Sequence, residues 1–283
     1  MGEAQVKSRW DKWRPAVVVL LGLGALAALL YPSVADWWND RLHAAALADI
    51  NAAVVIGPAE RLEGIRQEPV AYNQHLLATG DVDMKAYRQQ IDPTGSGVMG
   101  RVKIPKIGVD IPIFHTSDDD VLRKGAGHLP GTTLPVGGKT THTAITAHRG
   151  LRESRLFTDL DKVEKGDRFT LEVLGEAYVY EVETTRIVAP SETDWLVVQS
   201  GRDLATLITC DPLGINTERM LVTGERVTPT PIEDAEAVGA AKVLIAPPGW
   251  FWWLLLGLLG VGVASWWSVT PQARSERCVV GRW

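Results

Sequence analysis

Two almost uninterrupted apolar runs, Pro15–Tyr31 and Trp250–Trp267, bracket a middle region in which short stretches of apolar and polar residues alternate. Each run is near the lower limit of the roughly 17 to 25 residues that cross a bilayer as a helix. Residues 36 to 56 are rich in Ala, Leu and Asp at helical spacing and predict a helix of their own. Residues 57 to 92 carry breaks at Gly57-Pro58 and Gly80-Asp81 around a second helical piece, Pro69 to Leu77, and show no core signature. From Val98 the period shortens. Val98–Ile104, Val109–Phe114, Thr141–Ala147, Arg168–Val173, Tyr178–Val188, Leu204–Thr209 and Met220–Val227 are short and alternating or β-branched, as strands are. Arg168–Val173 alternates cleanly, and Gly175-Glu176 predicts a hairpin turn into the next strand. With only short helices such as Arg155–Val163, the pattern predicts a mainly β domain, a closed or nearly closed barrel of about eight strands. A two-layer α/β sheet fits the pattern less well, because no long amphipathic helix alternates with the strands. Residues 228 to 249, from Thr-Pro-Thr-Pro to Pro-Pro-Gly, read as an extended linker to the second apolar run.

Composition sharpens the membrane reading. Eleven tryptophans against four phenylalanines are unusual, and most flank the apolar runs: Trp10, Trp13, Trp37 and Trp38 around the first, and Trp250, Trp252, Trp253, Trp266 and Trp267 around the second. Indoles collect at membrane interfaces in this way. Lys7, Arg9, Lys12 and Arg14 precede the first run, and Arg274, Arg277 and Arg282 follow the second. The positive-inside rule then puts both termini in the cytoplasm and residues 32 to 249 outside. A cleaved signal peptide is the rival for the first run, because Ser33-Val34-Ala35 resembles a cleavage site; Trp37-Trp38, as an interfacial anchor, favours retention. A net charge of -5 and a pI near 5.7 leave no electrostatic footprint for nucleic acid.

This topology changes the meaning of the two cysteines. Cys278 falls in the cytoplasmic tail, so Cys210 is the sole thiol of the outer domain and has no intramolecular disulfide partner there. A lone exported cysteine points to intermolecular pairing or to a reactive thiol. Cys210 sits at the C-terminal lip of a strand, and Arg219 opens the next one, so a short loop brings a thiol and a guanidinium to one end of a sheet. A nearby cation favours the thiolate, the nucleophilic form. His148 ends another apolar strand and could exchange a proton with that thiol; His128 and His142 have similar claims from their positions. The six histidines lack the close pairs of familiar zinc motifs, so neither a metal site nor a cofactor is expected.

Thr206-Leu207-Ile208-Thr209-Cys210, Asn216-Thr217-Glu218-Arg219 and Ala147-His148-Arg149-Gly150-Leu151 together resemble the motifs of the sortases, and more narrowly of the class C, pilin-assembling sortases of Gram-positive cell surfaces. Val98-Met99-Gly100, Ile104-Pro105-Lys106-Ile107, Gly127-His128-Leu129, Leu134–Gly138, Leu156–Leu160 and Asn73 after Tyr72 extend the likeness over roughly residues 70 to 227. The resemblance implies the sortase β-barrel and a membrane enzyme with its catalytic domain on the extracellular face. Cys210 would attack the Thr–Gly carbonyl of an LPxTG-like sorting signal, His148 would serve as acid and base, and Arg219 would hold the substrate or its oxyanion. Thr206, Thr209, Asn216 and Ala147 are implied as substrate-binding positions. The implied partners are pilin or surface-protein substrates, with a pilin lysine as acceptor; a cell-wall precursor amine is the alternative, and a non-enzymatic assembly scaffold is the reading from another class. The domain organisation expected is a basic segment 1–14, a span 15–31, a helical extension 32–97, the catalytic barrel 98–228, a linker 229–249, a second span 250–267 and a tail 268–283.

This chain departs from the family pattern in three places. Glu218 stands where the family often has His, beside Arg219, although strand neighbours point apart. Asp211 replaces the Thr common after the nucleophile and would oppose thiolate formation. No Asp-Pro-aromatic triplet occurs in residues 79 to 90, so the lid usual in class C is expected to be reduced or absent.

Overall fold

In the computed structural model, which describes residues 9–56, 59–151, 153–236, 238, 249 and 251–257, three helices precede an eight-stranded barrel. The helices are α1 (Arg9–Ile56), α2 (Ala59–Thr79) and α3 (Met84–Gln89). The strands are β1 (Val98–Ile104), β2 (Val109–His115), β3 (Ala126–His128), β4 (Thr141–Thr146), β5 (Arg168–Val173), β6 (Glu176–Val188), β7 (Asp203–Asp211) and β8 (Glu218–Arg226). A single helical turn, α4 (Asp119–Leu122), joins β2 to β3, and α5 (Ile232–Glu236) follows the barrel. The barrel closes in the order β1-β2-β3-β4-β7-β8-β6-β5. β2–β3 and β4–β7 pair in parallel and the other neighbours antiparallel. The expected mainly β barrel of about eight strands is what forms. Of the second apolar run, residues 251–257 are helical; 258–267 lies outside the described residues, as do 1–8 and the tail 268–283.

Two-residue alternation builds the barrel interior. On β5, Phe169 and Leu171 enter the core while Thr170 and Glu172 face outward. Phe169 stacks on Tyr180 with ring centroids 5.4 Å apart, and both rings are fully buried. The β5–β6 turn falls on Leu174 (φ 50°) and Gly175 (φ 79°), one residue earlier than the expected Gly175-Glu176. Two consecutive positive φ values suit the right-handed twist of a tight hairpin, which is why a glycine serves there. β3 had no counterpart among the expected strands, because three residues are too few to show a period. Residues 155–163 form overlapping turns and a 3-10 segment, Leu160–Lys162, in place of the expected helix. Leu156, at φ 37°, breaks helical geometry, and the turns drive Leu156, Phe157, Leu160 and Val163 into the barrel core. That plug is worth more than a short solvated helix, since each buried large apolar side chain contributes about 1.5–3 kcal/mol.

Beyond the barrel, the N-terminal region is better packed than its polarity suggests. α1 is one continuous helix, not a membrane run followed by a separate helix, and it contains a stretch long and apolar enough to cross a membrane. Its later turns lie on β1 and β2, where Leu47 and Ile50 are buried. Beside them Arg101 forks onto Asp110 at 2.6 and 2.7 Å and reaches Glu172 at 3.2 Å, and Lys103 also pairs with Glu172. α2 runs through Pro69, well before the expected start. Tyr72, Leu76, Tyr87 and Ile91 form a second core with Met99, Leu134, Val173 and Leu174, so residues 72–91 do carry a core face.

Tyr87 is the key of that second core. Its ring lies 5.3 Å from His115 and 5.6 Å from His128, and its hydroxyl is 2.9 Å from His128 Nδ1. His128 Nε2 lies 3.0 Å from the Thr133 carbonyl, so a neutral ring with the proton on Nε2 satisfies both contacts. Burial pushes His128 down from its ordinary 6.5 to about 4. The unfolded chain therefore takes up this proton first as pH falls. The stability that depends on neutral His128 is intact above about pH 6.5 and is lost progressively towards about pH 4. Thermal melts across that window will show a steep fall for the wild type and a flatter one for His128→Gln. Tyr87→Phe, which leaves His128 Nδ1 unpaired, should cost about 1–3 kcal/mol in denaturant unfolding at neutral pH.

Candidate active site

β7 lies between β4 and β8, and its register assembles the site. Cys210 stands opposite Arg219 in the β7–β8 ladder. Directly opposed residues of antiparallel strands share a face, with Cα atoms about 4.5–5.5 Å apart. On the other side β4 runs parallel to β7 as far as Thr146 beside Ile208, and the Ala147 amide extends the pairing by donating to the Ile208 carbonyl at 3.1 Å. His148 follows directly and leaves the strand beside Cys210. Parity fixes the face. Ile145, Ala147, Ala205, Leu207, Met220 and Val222 belong to the barrel core, whereas Ala144, Ile208 and Leu221 pack outside with Leu129, Val188, Trp195 and Leu196. His148, Cys210 and Arg219 continue the outer set at the end of the sheet, half-buried.

Each of the three has a defined neighbourhood. Cys210 is a free thiol. His148 Nε2 lies 3.3 Å from Asp119 Oδ1 at the start of α4, and its carbonyl accepts from the Phe157 amide at 3.2 Å. The Arg123 hydrogen bond and charge, with a smaller contribution from His148, hold the Asp119 carboxyl below its ordinary range. Arg219 Nη1 donates to the Asn216 carbonyl at 3.2 Å and to the Glu218 carbonyl at 2.9 Å. The Glu218 carboxylate makes no hydrogen bond or ion pair with that guanidinium; Glu218 pairs with Asp211 in the ladder, one step further out.

The rival histidines are built into the frame. His128 is sealed by Tyr87 and Thr133, and His142 Nε2 lies 2.7 Å from Thr206 Oγ1, with burial lowering its pKa. Among the four implied substrate positions, only Asn216 is exposed. Thr206 is fully buried between His142 and Thr223, Ala147 points into the barrel, and Thr209 donates to the Ala147 carbonyl at 2.8 Å. These three side chains hold β4, β7 and β8 in register and present almost no surface. No group of three or more metal-ligating side chains exists among the described residues.

Asp119 and the Arg149 network escaped the sequence reading. Arg149, 8% exposed, pairs with Asp211, reaches Asp161 at 3.1 Å and donates to the Thr158 carbonyl at 3.2 Å. The residue after His148 is thereby tied to the residue after Cys210. The Asp118-Asp119-Asp120 run was the visible signal for the first, but neither partner of the second is near the other in sequence.

A half-buried cysteine, a histidine and an arginine at the end of a closed barrel define a cysteine acyl-transfer enzyme as the class. Residues 102–227 match the sortase domain family. The fold is similar to sortase C1 of Streptococcus agalactiae (37% identity, TM-score 0.62), over 64% of this chain and 97% of that one. It is similar to sortase C of Streptococcus pneumoniae, described with reference to pilin substrate specificity (36% identity, TM-score 0.58, 66% and 99% covered). Sortase C of Clostridium perfringens, solved with a C-terminal cell wall sorting motif, matches at 37% identity and TM-score 0.57 (65% and 98% covered). This chain belongs to the sortase family, with class C structural neighbours, and is a cysteine transpeptidase.

The Arg149–Asp211 pair yields a stability test. Arg149→Met leaves the Asp211 carboxylate partly buried without its ion pair and should cost about 1–3 kcal/mol in denaturant unfolding at neutral pH. Arg149→Met combined with Asp211→Asn should recover most of that loss; a double variant no more stable than Arg149→Met assigns the cost to the other contacts of Arg149.

Proposed function

We propose that this transpeptidase polymerises pilins. Cys210, as thiolate, attacks the Thr–Gly carbonyl of an LPxTG-like sorting signal; the tetrahedral adduct collapses to a thioacyl enzyme as the C–N bond breaks. His148 gives its proton to the departing glycine amine and then takes one from the incoming amine, a lysine of another pilin subunit. Arg219 stabilises the oxyanion or holds the substrate backbone. The observation that carries this reading is the β7 register, which sets the three groups on one outer face.

The surroundings support each role. Asp119 at His148 Nε2 orients the ring. The carbonyls of Asn216 and Glu218 hold the guanidinium on the Cys210 side of β8. Residues 79–90 make their hydrogen bonds and ring contacts to β2, β3 and residues close by, through Tyr87 and the Asp83 cap, and none to Cys210. These contacts support reading the site as open without a lid. The pilin acceptor is favoured by the likeness to the pneumococcal enzyme, and the sorting signal by the likeness to the clostridial one. The apolar stretch of α1 suggests membrane anchoring, and we place the barrel outside the cell, with 250–267 as a second span and both termini cytoplasmic.

The test is transpeptidation by the detergent-solubilised full chain, offered an LPxTG-type peptide with either a pilin lysine peptide or a wall-type glycine amine. A Cys210-linked acyl adduct by mass spectrometry, with product from lysine, is the expected outcome. Product from the glycine amine alone makes the enzyme an anchoring sortase. Cys210→Ala should abolish the adduct, and Arg219→Ala should slow its formation about a hundredfold or more. A fully active Cys210→Ala variant overturns the mechanism.

A further inference from the structure

The barrel docks on α1 with a defined polarity, and that polarity sets the Cys210 and His148 end nearest the apolar run. The loop after His148 touches α1 just past the apolar run. The Arg155 amide donates to Asp36 Oδ1 at 2.9 Å, Asn39 Nδ2 donates to the Glu153 carbonyl at 2.6 Å, and Leu151 lines a cleft of about 370 Å3 with Pro32 and Ser33. The opposite end of the barrel meets α1 much later: a Cβ placed on Gly175, in the β5–β6 turn, would come within 3.0 Å of Val54 Cγ1. Asp36 and Val54 are about 27 Å apart at 1.5 Å rise per residue, so the helix lies along the barrel from one end to the other.

Strand directions agree. β7 and β4 run towards the Asp36 end, and Cys210 and His148 emerge there; the β5–β6 turn lies at the Val54 end. From Tyr31, the last residue of the apolar run, to Asp36 the helix climbs about 8 Å. That is close to the depth of one headgroup layer, about 5–8 Å.

The same end carries bare apolar side chains. Leu213 and Ile215, in the β7–β8 loop that follows Cys210, are 53% and 67% exposed. The loop overlies the His148 loop, since a Cβ on Gly150 would fall 2.6 Å from Leu213 Cδ1. Trp38 (57%) and Tyr31 (52%) stand exposed on α1 at the matching height. Charges of both signs share this end, with Glu153 and Asp159 against Arg155 and Lys162, so apolar contact and not charge would provide the attraction.

We propose that the catalytic end of the barrel rests on the lipid surface of the bilayer that holds α1, with Leu213 and Ile215 inserted at headgroup depth. The thioacyl chemistry then takes place at the membrane interface, and the substrate segment is met there. This inference rests on α1 being a bilayer anchor.

The full chain carrying Cys210→Ala and Cys278→Ala would be given one cysteine at a time, Ile215→Cys, Lys139→Cys or Leu23→Cys. Each variant would be labelled with an environment-sensitive fluorophore and reconstituted into nanodiscs of phosphatidylcholine and phosphatidylglycerol containing doxyl-lipid quencher. Lys139 is exposed just before β4, at the far end of the barrel. Strong quenching at 23 and several-fold more quenching at 215 than at 139 is the expected result. Quenching at 23 with equal values at 215 and 139 overturns the membrane-facing site while leaving the anchor intact. No quenching at 23 removes the anchor and the inference with it.

Discussion

The pairing of β7 with both β4 and β8 is the constraint on which this enzyme depends. A side-chain period of two means that slipping either ladder by one residue would turn Cys210 into the barrel or move His148 and Arg219 to another face. The fold spends fully buried polar contacts on preventing that slip. Thr206 binds His142 and Thr223, each on a neighbouring strand, and Thr209 binds the Ala147 carbonyl. A buried hydroxyl without a partner is costly, so these bonds penalise every other register. Thr206 and Thr209 therefore act through the backbone they fix.

Register alone would leave the end of the sheet loose, because β4 stops before His148 and the chain then enters a turn. Two further devices fix that turn. Leu156, Phe157 and Leu160 plug the barrel, and the Phe157 amide returns to the His148 carbonyl. Arg149 then bridges to Asp211 across the mouth. Asp211 looked like a liability to the thiolate. With Arg149 only 8% exposed and bonded to it, the carboxylate is neutralised and becomes a fastening between the histidine loop and the cysteine strand. Removing Arg149 would leave the partly buried Asp211 carboxylate unmatched, whereas removing Asp211 would leave Arg149 paired with Asp161 but untie the two loops.

Much of this was legible in the sequence where local pattern and buried face coincide. β5 is the clearest case, since its alternation puts Phe169 and Leu171 in the barrel core and Thr170 and Glu172 on the opposite face. Cys210, His148 and Arg219, the proposed catalytic groups, were reachable because each ends or begins such a strand. What failed did so for stated reasons. Residues 155–163 carry helix-like spacing, but their apolar members serve the barrel end, and tertiary packing overrode local preference. The core face of residues 72–91 was hidden because Tyr72, Leu76, Tyr87 and Ile91 come from two helices and a turn. Arg149–Asp211 spans 62 residues and belongs to no periodicity at all. Strand position alone did not separate His128 and His142 from His148; the motif around His148 did, and the buried partners of the other two agree with it.

The continuous α1 joins these local facts to the placement of the enzyme. If the apolar run and the docked turns were separate helices, the barrel could take many orientations above a membrane. As one rod, α1 would transmit the tilt of a membrane segment to the barrel, and the hydrogen bonds at Asp36 and Asn39 fix which end of the barrel lies nearest the apolar run. With the site held at headgroup depth, as proposed, no lid would be needed to limit what reaches it: bulky soluble proteins would be excluded sterically, while a segment lying along the bilayer surface would enter sideways. Selectivity would then be divided, with the outer face of β4, β7 and β8 reading the chemistry of the substrate and the height set by α1 deciding which chains are presented to it.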